Sequence, residues 1–81
     1  MKMPRNLSGA QLIRALERLG YQPTRQSGSH VRLTCASLEE HHHLTIPLHD
    51  PLRIGTLAAI LADVAAHHKL TRDALVARLF G

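Results

Sequence analysis

Arg25-Gln26-Ser27-Gly28-Ser29-His30, running on into Val31-Arg32-Leu33-Thr34-Cys35, is the stretch on which the fold turns. Gly28 can take the positive φ that a hairpin turn often needs. Ser27 and Ser29 are turn residues whose hydroxyls are free for backbone or phosphate. From His30 the residues alternate: His30, Arg32 and Thr34 on one side, Val31, Leu33 and Cys35 on the other. That is the period of a half-buried strand. With the apolar set against a core, His30 is held on the opposite side beside an arginine. Imidazole is the side chain that exchanges a proton near neutral pH.

The reading extends in both directions. Residues 21–26 form the first strand of the hairpin, and Pro23 removes a ladder donor, which places that strand at a sheet edge. Upstream, Ser8 is an N-cap, and Gln11 three residues later completes a capping box. Leu12, Ile13, Leu16 and Leu19 make one stripe of that helix, with Arg14, Glu17 and Arg18 on the other face and Gly20 ending it. Downstream, residues 36–40 read as a polar loop and 43–48 as a third strand, with Leu44, Ile46 and Leu48 inward and His43 and Thr45 outward. His49-Asp50-Pro51 breaks the strand. A second helix is expected with Thr56 as its cap, Leu57, Ile60, Leu61 and Val64 buried, and His67-His68-Lys69 at its C-terminal end, where cations suit the helix dipole. Thr71 caps a short last helix that turns Leu75, Val76 and Leu79 inward. The order α-β-β-β-α plus a short helix predicts an α+β fold, a three-stranded antiparallel sheet with helices on one face. Residues 1–81 are expected to form one domain.

Composition narrows the function classes. A chain of 81 residues buries one modest core, so chemistry belongs on a shallow surface that suits a polymer better than a small metabolite. Ten Lys and Arg against six Asp and Glu give a net charge of +4, and the pI is near 10.2. Such a domain attracts polyanions, nucleic acid above all. Tyr21 and Phe80 are its only aromatics, which argues against binding single strands by base stacking. Cys35 is the one cysteine and falls on the apolar side of its strand, a small core residue. The start Met1-Lys2-Met3-Pro4-Arg5 lacks the apolar run of a signal peptide, and no apolar run approaches a membrane span. A cytoplasmic location with no membrane partner is expected.

Several ordered motifs resemble one family. Leu7-Ser8-Gly9-Ala10-Gln11-Leu12-Ile13-Arg14-Ala15-Leu16 comes first and Gly20-Tyr21 follows. Arg25-Gln26-Ser27-Gly28-Ser29-His30 fits an Arg-Gln-x-Gly-Ser-His signature. Thr45-Ile46-Pro47-Leu48-His49 and Gly55-Thr56-Leu57 through Leu61 complete the series. Together they resemble the HicA-type toxins of toxin–antitoxin pairs. That resemblance implies a double-stranded-RNA-binding-domain-like fold, an mRNA-cleaving activity with His30 as the catalytic residue, and a HicB-type antitoxin that covers the active face. His41-His42-His43 and Pro23 depart from the family pattern without touching the signature.

The residues themselves allow this chemistry. Metal-independent RNA cleavage requires a 2′-hydroxyl to lose a proton, a phosphate charge to be screened and a leaving oxygen to gain a proton. One imidazole serves the first or the last for about 10²- to 10⁴-fold. Arg25 and Arg32 are the candidates for phosphate, which guanidinium binds as a fork. Ser29 is a candidate to orient the imidazole or bind phosphate, and His49 is a possible second acid–base group. Arg53 and Thr56, where the second helix starts, are candidates for a further phosphate contact through free amides. His41 and His43 share a strand face, but no Cys, third histidine or carboxylate at zinc spacing completes a metal site, and no cofactor is expected. The alternative is a non-catalytic RNA-binding module that uses the same basic surface through shape. A structural subunit of a larger complex is the reading from a third class.

Overall fold

The computed structural model describes residues 6–36 and 41–81. Helix α1 (Gly9–Glu17) starts as the sequence dictates. The Gln11 N–H donates to Ser8 Oγ at 3.1 Å, and the Ser8 N–H donates to Gln11 Oε1 at 2.9 Å. This closes two of the amides that every helix start leaves open. Gly20, at φ 92°, turns the chain into the sheet.

Strands β1 (Tyr21–Ser27), β2 (His30–Cys35) and β3 (His42–Pro47) form one antiparallel sheet in the order β1-β2-β3. β1 is an edge strand, the position in a sheet where a residue without an N–H is tolerated. The register shifts between Pro23 and Arg25, so Thr24 is the extra residue of a bulge. Ser27 pairs with His30, leaving Gly28-Ser29 as a two-residue turn. Gly28 has φ 58° while nothing lies within 4 Å of a Cβ built on it. The turn therefore needs glycine for its dihedral and not for space.

β3 differs from the expected 43–48 by one residue at each end. His42 joins the ladder opposite Cys35, and Leu48, expected inward, is 39% exposed. The Leu48 N–H instead donates to Ser29 O at 2.7 Å, and the chain turns away there, so alternation lapses. Leu52, from the following turn, is buried, its N–H bonded to Leu7 O. Helix α2 (Ile54–His68) then begins earlier than expected. Its N-cap is Arg53, with no side-chain cap bond, and Thr56 lies inside the first turn. The earlier start brings Leu57, Ile60, Leu61 and Val64 onto the core as their spacing requires. Lys69 ends α2 in the left-handed conformation. Thr71 caps α3 (Arg72–Phe80), its Oγ1 accepting from the Ala74 N–H at 3.1 Å.

The core lies between the sheet and the helices. Tyr21, Val31, Leu33, Cys35, Leu44 and Ile46 from the strands meet Leu12, Leu16, Leu57, Leu61, Val64, Leu75 and Leu79 from the helices. All three helices thus cover one face of the sheet, the double-stranded-RNA-binding-domain-like α+β layout expected. Gly9 sets how closely α1 meets β3. Its N–H donates to His49 O at 2.9 Å, and a Cβ there would stand 2.0 Å from the Pro47 carbonyl oxygen. Among the described residues, no helix is long and apolar enough to cross a membrane. The expected loop over 36–40 falls outside the described residues from position 37 onward.

Candidate nucleic-acid interface

The face of the sheet turned away from the helices is polar and exposed. Direct cross-strand partners in an antiparallel sheet share a face. The register therefore places Ser27, His30 and Pro47 in one row, Arg25, Arg32 and Thr45 in the next, and Gln22, Thr34 and His43 in the third. His30 is exposed, as the alternation required, with Val31 buried behind it. The Leu48 bond to Ser29 keeps the chain beside the turn after β3 ends. His49 follows at the same end of the sheet as His30 and Ser29, exposed, its carbonyl held by Gly9. Ser29, His30, Arg25 and Arg32 thus follow one another along the open face from the hairpin turn, while His49 lies just past the end of β3 with its backbone tied to the start of α1. Arg53 and Thr56 are elsewhere, on the first turn of α2 in the helical layer.

The middle of the face is a shallow depression of about 330 Å³ lined by Thr24, Arg25, Arg32, Thr34 and His43. Thr24 Oγ1 and Thr34 Oγ1 lie 2.9 Å apart, and Thr34 Oγ1 is 2.9 Å from His43 Nδ1. His43 is held below the ordinary imidazole range, by lost solvation first and then by Arg32, His41 and His42. The larger depression, about 390 Å³ between α1 and α3, contains none of these residues. Thr24, Thr34 and His43 were not anticipated as site residues. Strand alternation puts Thr34 and His43 outward, but only the register shows that they meet.

Histidine also gathers at the far end of the sheet. His42 Nε2 lies 3.2 Å from Asp63 Oδ1, His42 Nδ1 2.5 Å from the Tyr21 hydroxyl, and that hydroxyl 3.0 Å from His68 Nε2. A carboxylate only accepts, so His42 donates to Asp63 from Nε2, and with the ring neutral its Nδ1 accepts from the Tyr21 hydroxyl. The Tyr21 oxygen then accepts from His68 Nε2–H. The His67 ring stacks on His42 with centroids 4.1 Å apart, and its buried Nε2 finds no partner among the described residues. Burial, with Cys35 and Asp63 adding, pushes the Tyr21 phenol up, so it stays protonated. This network ties β1, β3 and α2 together. Among the described residues, no group of three or more His, Cys, Asp or Glu is arranged to hold a metal ion.

A sequence model described as the HicA toxin of bacterial toxin-antitoxin matches residues 9–65, more than half of the chain. No curated protein and no solved structure matches.

Proposed function

Because this chain belongs to the HicA toxin family and so is the toxin of a toxin–antitoxin pair, we propose that it is a metal-independent endoribonuclease acting on mRNA, with His30 as its proton carrier. The observation that supports this reading is the place of His30. It is exposed where the hairpin closes, on a helix-free face, in the row next to two outward arginines. In the proposed reaction the 2′-oxygen of one ribose attacks the adjacent phosphorus and the bond to the 5′-oxygen breaks. The 2′-hydroxyl gives up a proton and the leaving oxygen takes one. His30 makes one of these transfers, and His49, at the same end of the sheet, is the candidate for the other. Arg25 and Arg32 screen the phosphate, and Ser29 orients the imidazole or bonds a phosphate oxygen. Arg53 and Thr56 offer a more distant backbone contact at the start of α2. The partner proposed for the same face is a HicB-type antitoxin, which inhibits by covering it.

The test is His30→Ala, scored on one preparation for thermal midpoint, RNA binding and RNA cleavage with EDTA present. Cleavage is expected to vanish. The midpoint should hold, since exposed substitutions usually change stability by within about 0.5 kcal/mol. Binding should persist through contacts to phosphate. Undiminished cleavage would end the assignment, and a collapsed midpoint would make His30 structural. Wild-type protein that binds RNA and never cuts it would favour the non-catalytic module.

A further inference from the structure

We propose that the depression bounded by Thr24, Arg25, Arg32, Thr34 and His43 is a second phosphate subsite, which holds an uncut phosphodiester of the same RNA strand that is cleaved at His30. This rests on the ribonuclease reading and extends it from Arg25 and Arg32, which the two phosphates share, to Thr24, Thr34 and His43, which the reaction at His30 does not use.

The first observation is a repulsion that the fold retains. Arg25 stands directly opposite Arg32 on one face, where partner Cβ atoms are about 5 Å apart and like charges destabilise the pairing. Among the described residues neither arginine makes an ion pair. Two facing guanidinium groups without a counter-charge fit an anion that arrives from outside, and planar forked donors match a phosphate.

The second observation is the hydroxyl chain beside them. With His43 neutral, Thr24 donates to Thr34, Thr34 donates to His43 Nδ1, and the ring carries its proton on Nε2. With His43 charged, Nδ1–H donates to Thr34, Thr34 to Thr24, and Thr24 turns its proton to Arg32 O, 3.4 Å away. The chain is satisfied in both states, so His43 can gain a proton without breaking a bond. The groups that oppose that proton are Arg32 from β2 and His41 and His42 beside it in the chain, with Arg25 from β1 lining the same depression. A bound phosphate offsets them.

The third observation is position. Arg32 is two and Thr34 four residues along β2 from His30, about 7 and 13 Å at strand rise. Arg32 thus stands between the phosphate being cut and the next one, and Thr34 lies beyond the first and within reach of its neighbours on the same strand.

The experiment follows the His43 ring by NMR in His30→Ala protein, which keeps a bound RNA whole. The titration midpoint of His43 is measured with no ligand, with an oligoribonucleotide confirmed bound by fluorescence anisotropy, and with inorganic phosphate. The midpoint should rise with the oligonucleotide, and rise far less in protein that also carries Arg32→Gln. Inorganic phosphate should match the effect only at much higher concentration. In anisotropy, Arg32→Gln should lower the salt slope by about 0.7, one single-strand phosphate contact. His43→Gln should flatten the gain in affinity between about pH 7.5 and 5.5, the range in which imidazole titrates. A His43 midpoint unmoved by saturating RNA, or RNA that does not bind, overturns the subsite. Inorganic phosphate as effective as RNA overturns the strand assignment. An unmoved His43 in a protein whose wild type cuts RNA removes the subsite alone. A shifted His43 in a protein whose wild type never cuts RNA keeps the subsite and removes the ribonuclease.

Discussion

Tyr21→Phe removes one oxygen and leaves the ring that fills the core. That oxygen bonds both His42 and His68, joining the first strand to the third and to α2. Two net hydrogen bonds at about 0.5–1.5 kcal/mol each amount to about 2 kcal/mol. No cavity adds to this, because only the hydroxyl is lost. For a domain of this size, a loss of about 2 kcal/mol lowers the midpoint by about 8–16 °C. The assay is thermal or urea unfolding of Tyr21→Phe, His68→Gln and the double variant. The two single costs should not add, because both remove the same bond. A coupling of at least about 0.5 kcal/mol is expected between residues in one network. A Tyr21→Phe midpoint within about 2 °C of wild type, or strictly additive costs, would refute the role given to the hydroxyl.

Gly9→Ala puts a methyl 2.0 Å from the Pro47 carbonyl oxygen, a backbone atom with little freedom to move. Overpacking of about 1–3 kcal/mol plus the strained bond to His49 O should lower the midpoint more than Ala10→Gly on the exposed side of the same helix; equal effects would count against the close approach. The pH dependence of stability carries a definite sign. His68 is held below the usual imidazole range, by desolvation first and then by His67, His42 and Arg78. In the window below about pH 6.5 the unfolded chain therefore binds more protons than the folded one, and stability falls as pH falls. Midpoints recorded from neutral pH down to about pH 5 should show that decline, with a shallower slope in His68→Gln; a midpoint that rises on acidification contradicts the assignment.

The elements that could be read from the sequence were those with local signals. The Ser8–Gln11 box, the Thr71 cap, the Gly28 turn and the bounds of β2 each depend on residues within a few positions of one another. The start of α2 and the end of β3 depend on distant partners. Leu48 leaves the strand because its amide finds Ser29, and Leu52 is fixed by Leu7. No nearby residue announces either bond. At the candidate site, alternation put His30 and Arg32 outward but could not set which residues of β1 and β3 stand opposite. That left Thr24 and His43 unseen as neighbours of Arg32. The structure divides the histidine triplet: His42 turns to the Tyr21 network and His43 to the open face.

The alternation in β2 has a consequence for inheritance. Every second residue serves the core and the others face outward, so a substitution at His30 or Arg32 leaves the packing of Val31, Leu33 and Cys35 as it was. On the proposed reading of His30, one mutational step would disarm a toxin built this way and leave it folded. The outline that remains keeps the other residues of its open face, and an antitoxin that recognises that outline would go on being sequestered by it. Disarmed copies of such a gene would not be silent passengers, because each would draw antitoxin away from an armed copy in the same cell.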